Sequence, residues 1–303
     1  MILMYHNVVP IDATAGHDLQ GITLRESDFI RQISRLGRIF TFVDFETYIR
    51  TWNSTGRQPL KQAVISFDDC TWPTFEYGVK HLISRHIPSI VFVNSCQIDN
   101  GPLIWGAYLN ALCYDGGYDE VEIDNKIYSL EVVEEQHASK RGLFNVARES
   151  SDPQKVVEQW ASEYPIRENV LRYYKGFSSE QLRKCGSSAF VEIGAHTHTH
   201  PFLSELTKSD QKHELQINTK ILEDKTGSEI RYVAYPSGDY NSETLDVMAE
   251  LGYSYGFSVH QKPQVSAPKY ELPRLGIYSP STLRVLASMA KRVFIQNPFR
   301  LEK

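Results

Sequence analysis

In residues 191–201 an apolar run passes directly into a group of histidines: Val191-Glu192-Ile193-Gly194-Ala195-His196-Thr197-His198-Thr199-His200-Pro201. Its first four residues predict a short buried β-strand. His196 and His200 lie four positions apart, so both imidazoles can reach one divalent cation, which needs ligand atoms about 2 Å away. The segment therefore predicts a strand whose carboxyl end carries a metal site.

The third ligand is expected from a second apolar run, Ala63–Phe67, which ends at the acidic pair Asp68-Asp69. Open α/β folds and barrels place their chemistry at the carboxyl ends of strands, where this pair would meet the histidines. Two histidines and one carboxylate leave a coordination position open, as in catalytic zinc sites, and the second aspartate can act as a base. Either motif alone is common in proteins without a metal, but their combination indicates metal-assisted hydrolysis.

Strand-like and helix-like segments alternate along most of the chain, which implies parallel βα units. Seven or eight such units favour a closed or nearly closed barrel. We therefore expect one α/β domain over residues 1–303, built as a distorted (β/α) barrel of about seven strands. The predicted strands are Ile2–Tyr5, Phe40–Val43, Ala63–Phe67, Ser89–Val93, Val191–Gly194, Tyr232–Tyr235, Tyr255–Val259 and a piece near Leu275–Tyr278. The predicted helices include Glu26–Gly37, Phe75–Arg85, Lys208–Lys225 and Ser242–Leu251.

Residues 100–185 break this alternation and are expected to form a mixed α+β insertion within the barrel domain. The run 121–128 predicts a hairpin that turns at Asp124-Asn125, and helices are expected around Pro153–Ser162 and Ser178–Cys185. The many aromatic side chains of this region either wall a substrate cleft or fill the insertion's own small core. The last residues, Arg292–Lys303, are expected to be a solvated helix end or tail.

Composition narrows the function classes. The chain has 303 residues with a net charge of −5, and it offers no basic surface for nucleic acid. No apolar stretch approaches the roughly 18–20 residues that span a bilayer, and no signal peptide is recognisable. Four widely spaced cysteines predict free thiols. Together these features predict a cytoplasmic protein without a transmembrane segment, while its oligomeric state stays open.

Four motifs in order resemble the polysaccharide deacetylase family, carbohydrate esterase family four, which contains the nodulation-type deacetylase homology domain. They are Ser66-Phe67-Asp68-Asp69, the histidine run 196–201, Ala234-Tyr235-Pro236-Ser237-Gly238-Asp239-Tyr240-Asn241 and Leu272-Pro273-Arg274. The resemblance covers residues 1–100 and 186–280. It implies a distorted barrel and metal-dependent removal of N-acetyl or O-acetyl groups from sugars. Cys70 departs from the family pattern, where glycine usually follows the acidic pair, and this side chain is expected to narrow the pocket or to alter the turn.

The resemblance also implies roles for individual residues. Asp69, His196 and His200 correspond to the metal ligands, and Asp68 to the general base. Arg274 corresponds to the residue that orients this base, and the backbone N–H of Tyr235 to the oxyanion donor. The middle histidine, His198, is not a ligand in this pattern. The metal is expected to be zinc, with cobalt or nickel as alternatives.

The general acid cannot be assigned from the usual motif, because the Leu-x-His that supplies it in most of the family is absent after Arg274. Some members with a rearranged motif order carry the acid on an N-terminal Tyr-His. Leu3-Met4-Tyr5-His6 has this form at the end of a predicted strand, so we predict that His6 is the acid. His260, which follows the predicted strand Tyr255–Val259, is the competitor.

The leading functional hypothesis is an N-deacetylase that acts on an acetylated sugar or oligosaccharide. The predicted location favours a lipid-linked or nucleotide-linked glycan precursor. A metal-dependent hydrolase of a non-sugar amide is an alternative, and so is a catalytically inactive carbohydrate-binding domain. The presence of both the base and the ligands argues against the inactive domain.

Overall fold

Seven parallel strands close into a barrel within residues 1–14, 22–259 and 269–296, which our computed structural model describes. The barrel strands β1, β12, β11, β10, β9, β6 and β5 are neighbours in that order, and β1 also pairs with β5, which closes the ring. The strands are Ile2–Tyr5 (β1), Asn7–Val9 (β2), Thr23–Arg25 (β3), Thr41–Phe42 (β4), Gln62–Phe67 (β5), Ser89–Val93 (β6), Glu120–Ile123 (β7), Lys126–Ser129 (β8), Val191–Ala195 (β9), Tyr232–Ala234 (β10), Tyr255–Ser258 (β11) and Leu272–Gly276 (β12).

Helices connect most of these strands and cover the outside of the barrel. They are Glu26–Leu36 (α1), Phe45–Thr55 (α2), Trp72–Thr74 (α3), Lys80–Ser84 (α4), Trp105–Asn110 (α5), Val133–Glu149 (α6), Pro153–Glu163 (α7), Glu168–Leu171 (α8), Ser179–Gly186 (α9), Lys208–Thr226 (α10), Ser242–Glu250 (α11) and Thr282–Gln296 (α12). A π-helical segment, Phe75–Val79, joins α3 to α4, and another, Ala111–Asp115, extends α5. The predicted α/β barrel of about seven strands is confirmed.

The barrel interior is filled by alternate residues of each strand, as the period of two requires. Ile2, Val64 and Phe257 belong to the interior cluster, whereas their strand neighbours pack outward on the helices. Helix α2 closes the amino end of the barrel. Its Phe45 ring lies 5.1 Å from that of Tyr232, the first residue of β10, across the barrel from β5. The carboxyl end is therefore the open end, available for a site.

Residues 100–185 lie between the neighbouring barrel strands β6 and β9 and build most of a second hydrophobic core. The β7–β8 hairpin turns at Asp124 and Asn125, whose φ angles of 54° and 59° fit the predicted two-residue turn. Trp160 and Tyr173 are buried in this core. Helix α9 packs instead into the barrel core.

Several details differ from the sequence predictions, and the short elements β2, β3, α5 and α8 are among those that were not predicted. Helices α2 and α6 were not predicted, and β12 begins three residues earlier than expected because Pro273, an unusual residue inside a strand, obscured it. The prediction of a solvated end is wrong for Arg292, which is 1% exposed on α12. Residues 297–303 lie outside the described part of the chain.

Candidate active site

The acidic pair follows β5 at the open end of the barrel, and its first member is held by an arginine from β12. Asp68 is buried, and Arg274 donates from Nη1 to Oδ1 at 2.5 Å and from Nη2 to Oδ2 at 2.6 Å. Burial alone would raise the pKa of the Asp68 carboxyl, but the Arg274 guanidinium outweighs this effect and holds it below its ordinary value. Asp68 is therefore an ionised carboxylate at neutral pH.

Asp69 meets the two histidines of the 196–200 loop. Its Oδ1 lies 3.3 Å from Nε2 of His196 and 3.4 Å from Nε2 of His200. The three potential ligand atoms all lie within 4.8 Å of one another. Nδ1 of His196 lies 2.8 Å from the carbonyl oxygen of Ala234, to which it donates in the tautomer that satisfies both groups.

This donor set fits a divalent cation. In the neutral tautomer with Nδ1 as the donor, Nε2 of His196 carries a lone pair that faces Asp69, whose Oδ1 is buried without a hydrogen-bond donor. Burial alone would lower the pKa of His196, but the carboxylates of Asp68 and Asp69 outweigh this effect and raise it, so positive charge is favoured at this position. Burial lowers the pKa of His200 to about 4, so this imidazole is neutral at pH 7. Lone pairs and a carboxylate that face one another are satisfied by a cation between them.

The loop that carries the histidines is fixed by side chains from the barrel. Oε2 of Glu214, on α10, accepts the backbone N–H groups of His198 and Thr199 at 2.8 and 2.9 Å. Nδ2 of Asn218 donates to the carbonyl of Thr197 at 2.6 Å. His198 itself lies against Ser95, with 2.8 Å between Nδ1 and Oγ, and is not part of the metal cluster.

The insertion forms one wall of a cleft of about 410 Å³ over this site. Trp105 and Tyr174 of the insertion line the cleft, although both are mostly buried. Both alternatives considered from the sequence therefore hold. Some aromatic residues of the insertion line the cleft, and others, such as Trp160, fill the insertion's own core. Trp105 also donates from Nε1 to the carbonyl of His200 at 2.9 Å. Sequence reasoning did not find this contact.

His6 follows β1 and lines the same cleft as Asp68, Asp69, His196 and His200. Its Nδ1 is buried without a hydrogen-bond partner, and its ring centroid lies 6.4 Å from that of Tyr278. Tyr278 lines the cleft as well and was not singled out from the sequence. The competitor, His260, lies outside the described residues.

Tyr235 is not brought into the cleft. Its backbone N–H donates to the carbonyl of Phe257 at 3.1 Å, and its side chain is fully buried with the hydroxyl donating to Tyr270. The predicted oxyanion donor thus already has a partner within the sheet. Ser237 and Gly238, in the turn that follows, do line the cleft.

Cys70 occupies a turn whose backbone angles explain why the family usually has glycine at this position. Its φ of 41° and the φ of 61° at Asp69 are in the left-handed region that glycine adopts most easily. The Cys70 side chain is fully buried and is not among the residues that line the cleft, so of the two expected effects the structure favours the altered turn. Burial raises the pKa of its thiol, and all four cysteines are free.

Comparison with known proteins identifies the family. The sequence model of the polysaccharide deacetylase family matches residues 55–256, about two thirds of the chain. The chain belongs to the polysaccharide deacetylase family. Asp69, His196 and His200 are the candidate metal site of this family member.

Individual relatives match this chain at low identity. The protein YxkH of Bacillus subtilis (strain 168) is 26% identical over 117 residues, which span 39% of this chain and 39% of that relative's length. The structure of the Streptococcus pyogenes deacetylase PplD in complex with acetate is 17% identical, covers 95% of this chain and 96% of its own, and has a TM-score of 0.60. IcaB from Ammonifex degensii is 17% identical, covers 95% of each chain and has a TM-score of 0.61. At this identity the two structures show that this chain shares their fold. Among its described helices, none combines the length and the apolar character needed to cross a membrane.

Proposed function

We propose that this polysaccharide deacetylase is a metal-dependent hydrolase that removes N-acetyl groups from a sugar or glycan precursor. The observation that carries the proposal is the Arg274–Asp68 pair beside the Asp69–His196–His200 cluster, with His6 in the same cleft. An ionised carboxylate, a three-ligand cluster and a second proton carrier are the groups that amide hydrolysis by water requires.

Asp69, His196 and His200 would hold the divalent cation, for which zinc is the first candidate and cobalt or nickel are alternatives. When bound, such a cation supplies Lewis-acid activation of the acetyl carbonyl and of water. Asp68 accepts a proton from the attacking water across a hydrogen bond. Arg274 keeps the Asp68 carboxylate ionised and fixes its orientation, because both guanidinium donors are engaged.

The second half of the reaction needs a proton for the leaving group. His6 donates this proton to the nitrogen as the carbon–nitrogen bond breaks, which releases acetate and the free amine. The developing oxyanion needs a backbone donor. The turn at Ser237 suits this role better than the N–H of Tyr235, because Ser237 lines the cleft and the Tyr235 N–H is donated to Phe257.

The substrate would be an acetylated sugar or oligosaccharide, and a lipid-linked or nucleotide-linked precursor stays a prediction from the sequence. A cleft of about 410 Å³ with aromatic walls suits a short saccharide. The test is acetate release from a panel of acetylated mono- and oligosaccharides, before and after treatment with a chelator. Release that stops on chelation and returns with added zinc supports the proposal. Release unaffected by chelation, after metal analysis shows the protein to be metal-free, would refute metal dependence.

A further inference from the structure

The loop that carries the metal ligands is conformationally strained. Thr197 and His200 have φ angles of 64° and 62°, in the left-handed region. A β-branched residue is a rare occupant of this region, and His200 also precedes Pro201, which disfavours helix-like backbone angles. Such conformations are energetically unfavourable and persist only where the surroundings hold them. The loop therefore depends on its contacts.

The contacts from the barrel hold the first part of this loop. Glu214 accepts the N–H groups of His198 and Thr199, and Asn218 donates to the carbonyl of Thr197. The His200 N–H is donated within the loop, to Oγ1 of Thr197 at 3.1 Å. The other end of the His200 residue, its carbonyl, is held from a different part of the fold.

The insertion supplies that contact. Nε1 of Trp105 donates to the His200 carbonyl at 2.9 Å, and the indole is 2% exposed. The Trp105 ring is itself fixed, since its centroid lies 4.7 Å from that of Phe144 and 5.8 Å from that of Phe202. The Arg148 guanidinium lies 4.4 Å above the Phe202 ring and also pairs with Glu205. The insertion thus contacts the chain on both sides of Pro201, at His200 and at Phe202.

We propose that Trp105 is a positioning residue that holds His200 in its ligating conformation, so that the insertion sets the metal affinity of the site. This inference rests on the metal site of the proposed function. Trp105 acts through the backbone of a ligand and does not itself bind the cation. The insertion then has two tasks, to wall the cleft and to stabilise the strained ligand.

The test uses Trp105→Phe, which removes the indole N–H and keeps an aromatic ring. Metal-free wild type and variant are titrated with Co²⁺, followed by the visible absorption of the bound ion and by competition with a chelator. Partners of metal ligands typically contribute 10–100-fold to affinity, so we expect the Kd to rise about tenfold or more. Saturating metal should restore most of the rate of acetate release. The matched control is Trp160→Phe, which makes the same replacement elsewhere in the insertion core.

The outcomes are separable. Weaker cobalt binding by Trp105→Phe, with wild-type binding by Trp160→Phe, supports the proposal. Unchanged binding by Trp105→Phe overturns it, and so does an equal loss in both variants, because the effect would then come from a general loosening of the insertion. Thermal unfolding of the metal-free proteins would reveal such loosening as a lower Tm in both variants. If the wild type binds no cobalt, the metal site of the proposed function fails together with this inference.

Discussion

Arg274 and Asp68, which are 206 positions apart in the chain, form a buried ion pair with two parallel hydrogen bonds. Each oxygen of the carboxylate faces its own guanidinium nitrogen, so the plane of the carboxylate is fixed. β1 separates the two strands that carry these residues, because it pairs with β5 on one side and with β12 on the other. The pair therefore depends on closure of the barrel.

The first prediction concerns the stability of this pair. Arg274→Met should lower the free energy of unfolding at pH 7 by about 3–5 kcal/mol, because it leaves the Asp68 carboxylate buried without a partner. In the wild type the pKa of Asp68 is lowered. The stabilisation by the ion pair is therefore fully present from neutral pH down to the ordinary pKa range of an aspartate, and it is lost only as the pH falls below that range. In the variant, burial raises the pKa, and proton uptake relieves the defect. The difference between the two proteins should shrink from pH 7 to about pH 4.5 in urea unfolding.

The control for this experiment is Arg284→Met, which removes an exposed arginine of α12. It should change the free energy of unfolding by less than about 0.5 kcal/mol at either pH. A loss in Arg274→Met that is the same at both pH values would contradict the proposed linkage to Asp68.

The second prediction concerns metal content. The wild type should bind one divalent ion per chain, and His200→Ala should lose it, because only two ligands would remain. His198→Ala makes the same change two residues away, at a side chain that lies against Ser95, and should keep the metal. Elemental analysis after dialysis measures both. Equal metal content in wild type and His200→Ala would remove His200 from the site.

The third prediction separates the base from the ligands. Asp68→Asn should keep the bound metal and lose about 10²–10⁴-fold in kcat, the usual contribution of a general base. Because the substitution leaves Arg274 without a counter-charge, circular dichroism must first confirm that the variant is folded. A folded, metal-loaded Asp68→Asn that keeps most of its activity would show that another group takes the proton.

The fourth prediction concerns the proton for the leaving group. An amine must be protonated to leave, whereas an activated phenolate leaves unaided. His6→Ala should therefore be severely impaired on an acetamido sugar and much less impaired on an activated aryl acetate. His260→Ala should not discriminate between the two substrates. The measurement is kcat/KM for both variants on both substrates, and the opposite pattern would assign the acid to His260.

Local sequence patterns were enough to predict most of the barrel. Strand alternation, the hairpin turn at Asp124-Asn125 and several helix ends all have short-range causes. Helix α2 also has such signals, because Asp44 caps its first turn, Gly56 ends it, and Phe45, Tyr48, Ile49 and Trp52 repeat at helical spacing. Helix α6 has a weaker pattern, since its buried positions, Ser139, Leu143 and Ala147, are mostly small. Helix α2 is therefore predictable from its sequence, whereas α6 is not, because its buried face carries mostly small residues.

The sequence predicts which residues form the candidate site, but it does not predict how their groups are arranged around the cleft. The motifs identify Asp68, Asp69, His196, His200 and Arg274, which the barrel brings together. They do not reveal which N–H of a turn faces the cleft, so the sequence pointed to the N–H of Tyr235, which donates to Phe257 in the structure. The Trp105–His200 contact joins residues 95 positions apart across the insertion, and no local pattern encodes such a contact.

Because β12 closes the barrel beside β1, the parts of the site are synthesised at different times. The ligands end at His200, whereas Arg274 is added 74 residues later. At about 5–20 residues per second, a ribosome needs on the order of four to fifteen seconds for this stretch. Pairings of such long sequence separation form slowly in folding as well. During this interval a growing chain already contains Asp69, His196 and His200, the candidate metal ligands, but not the Arg274 guanidinium that fixes Asp68. The buried ion pair is therefore the last part of the site to become available.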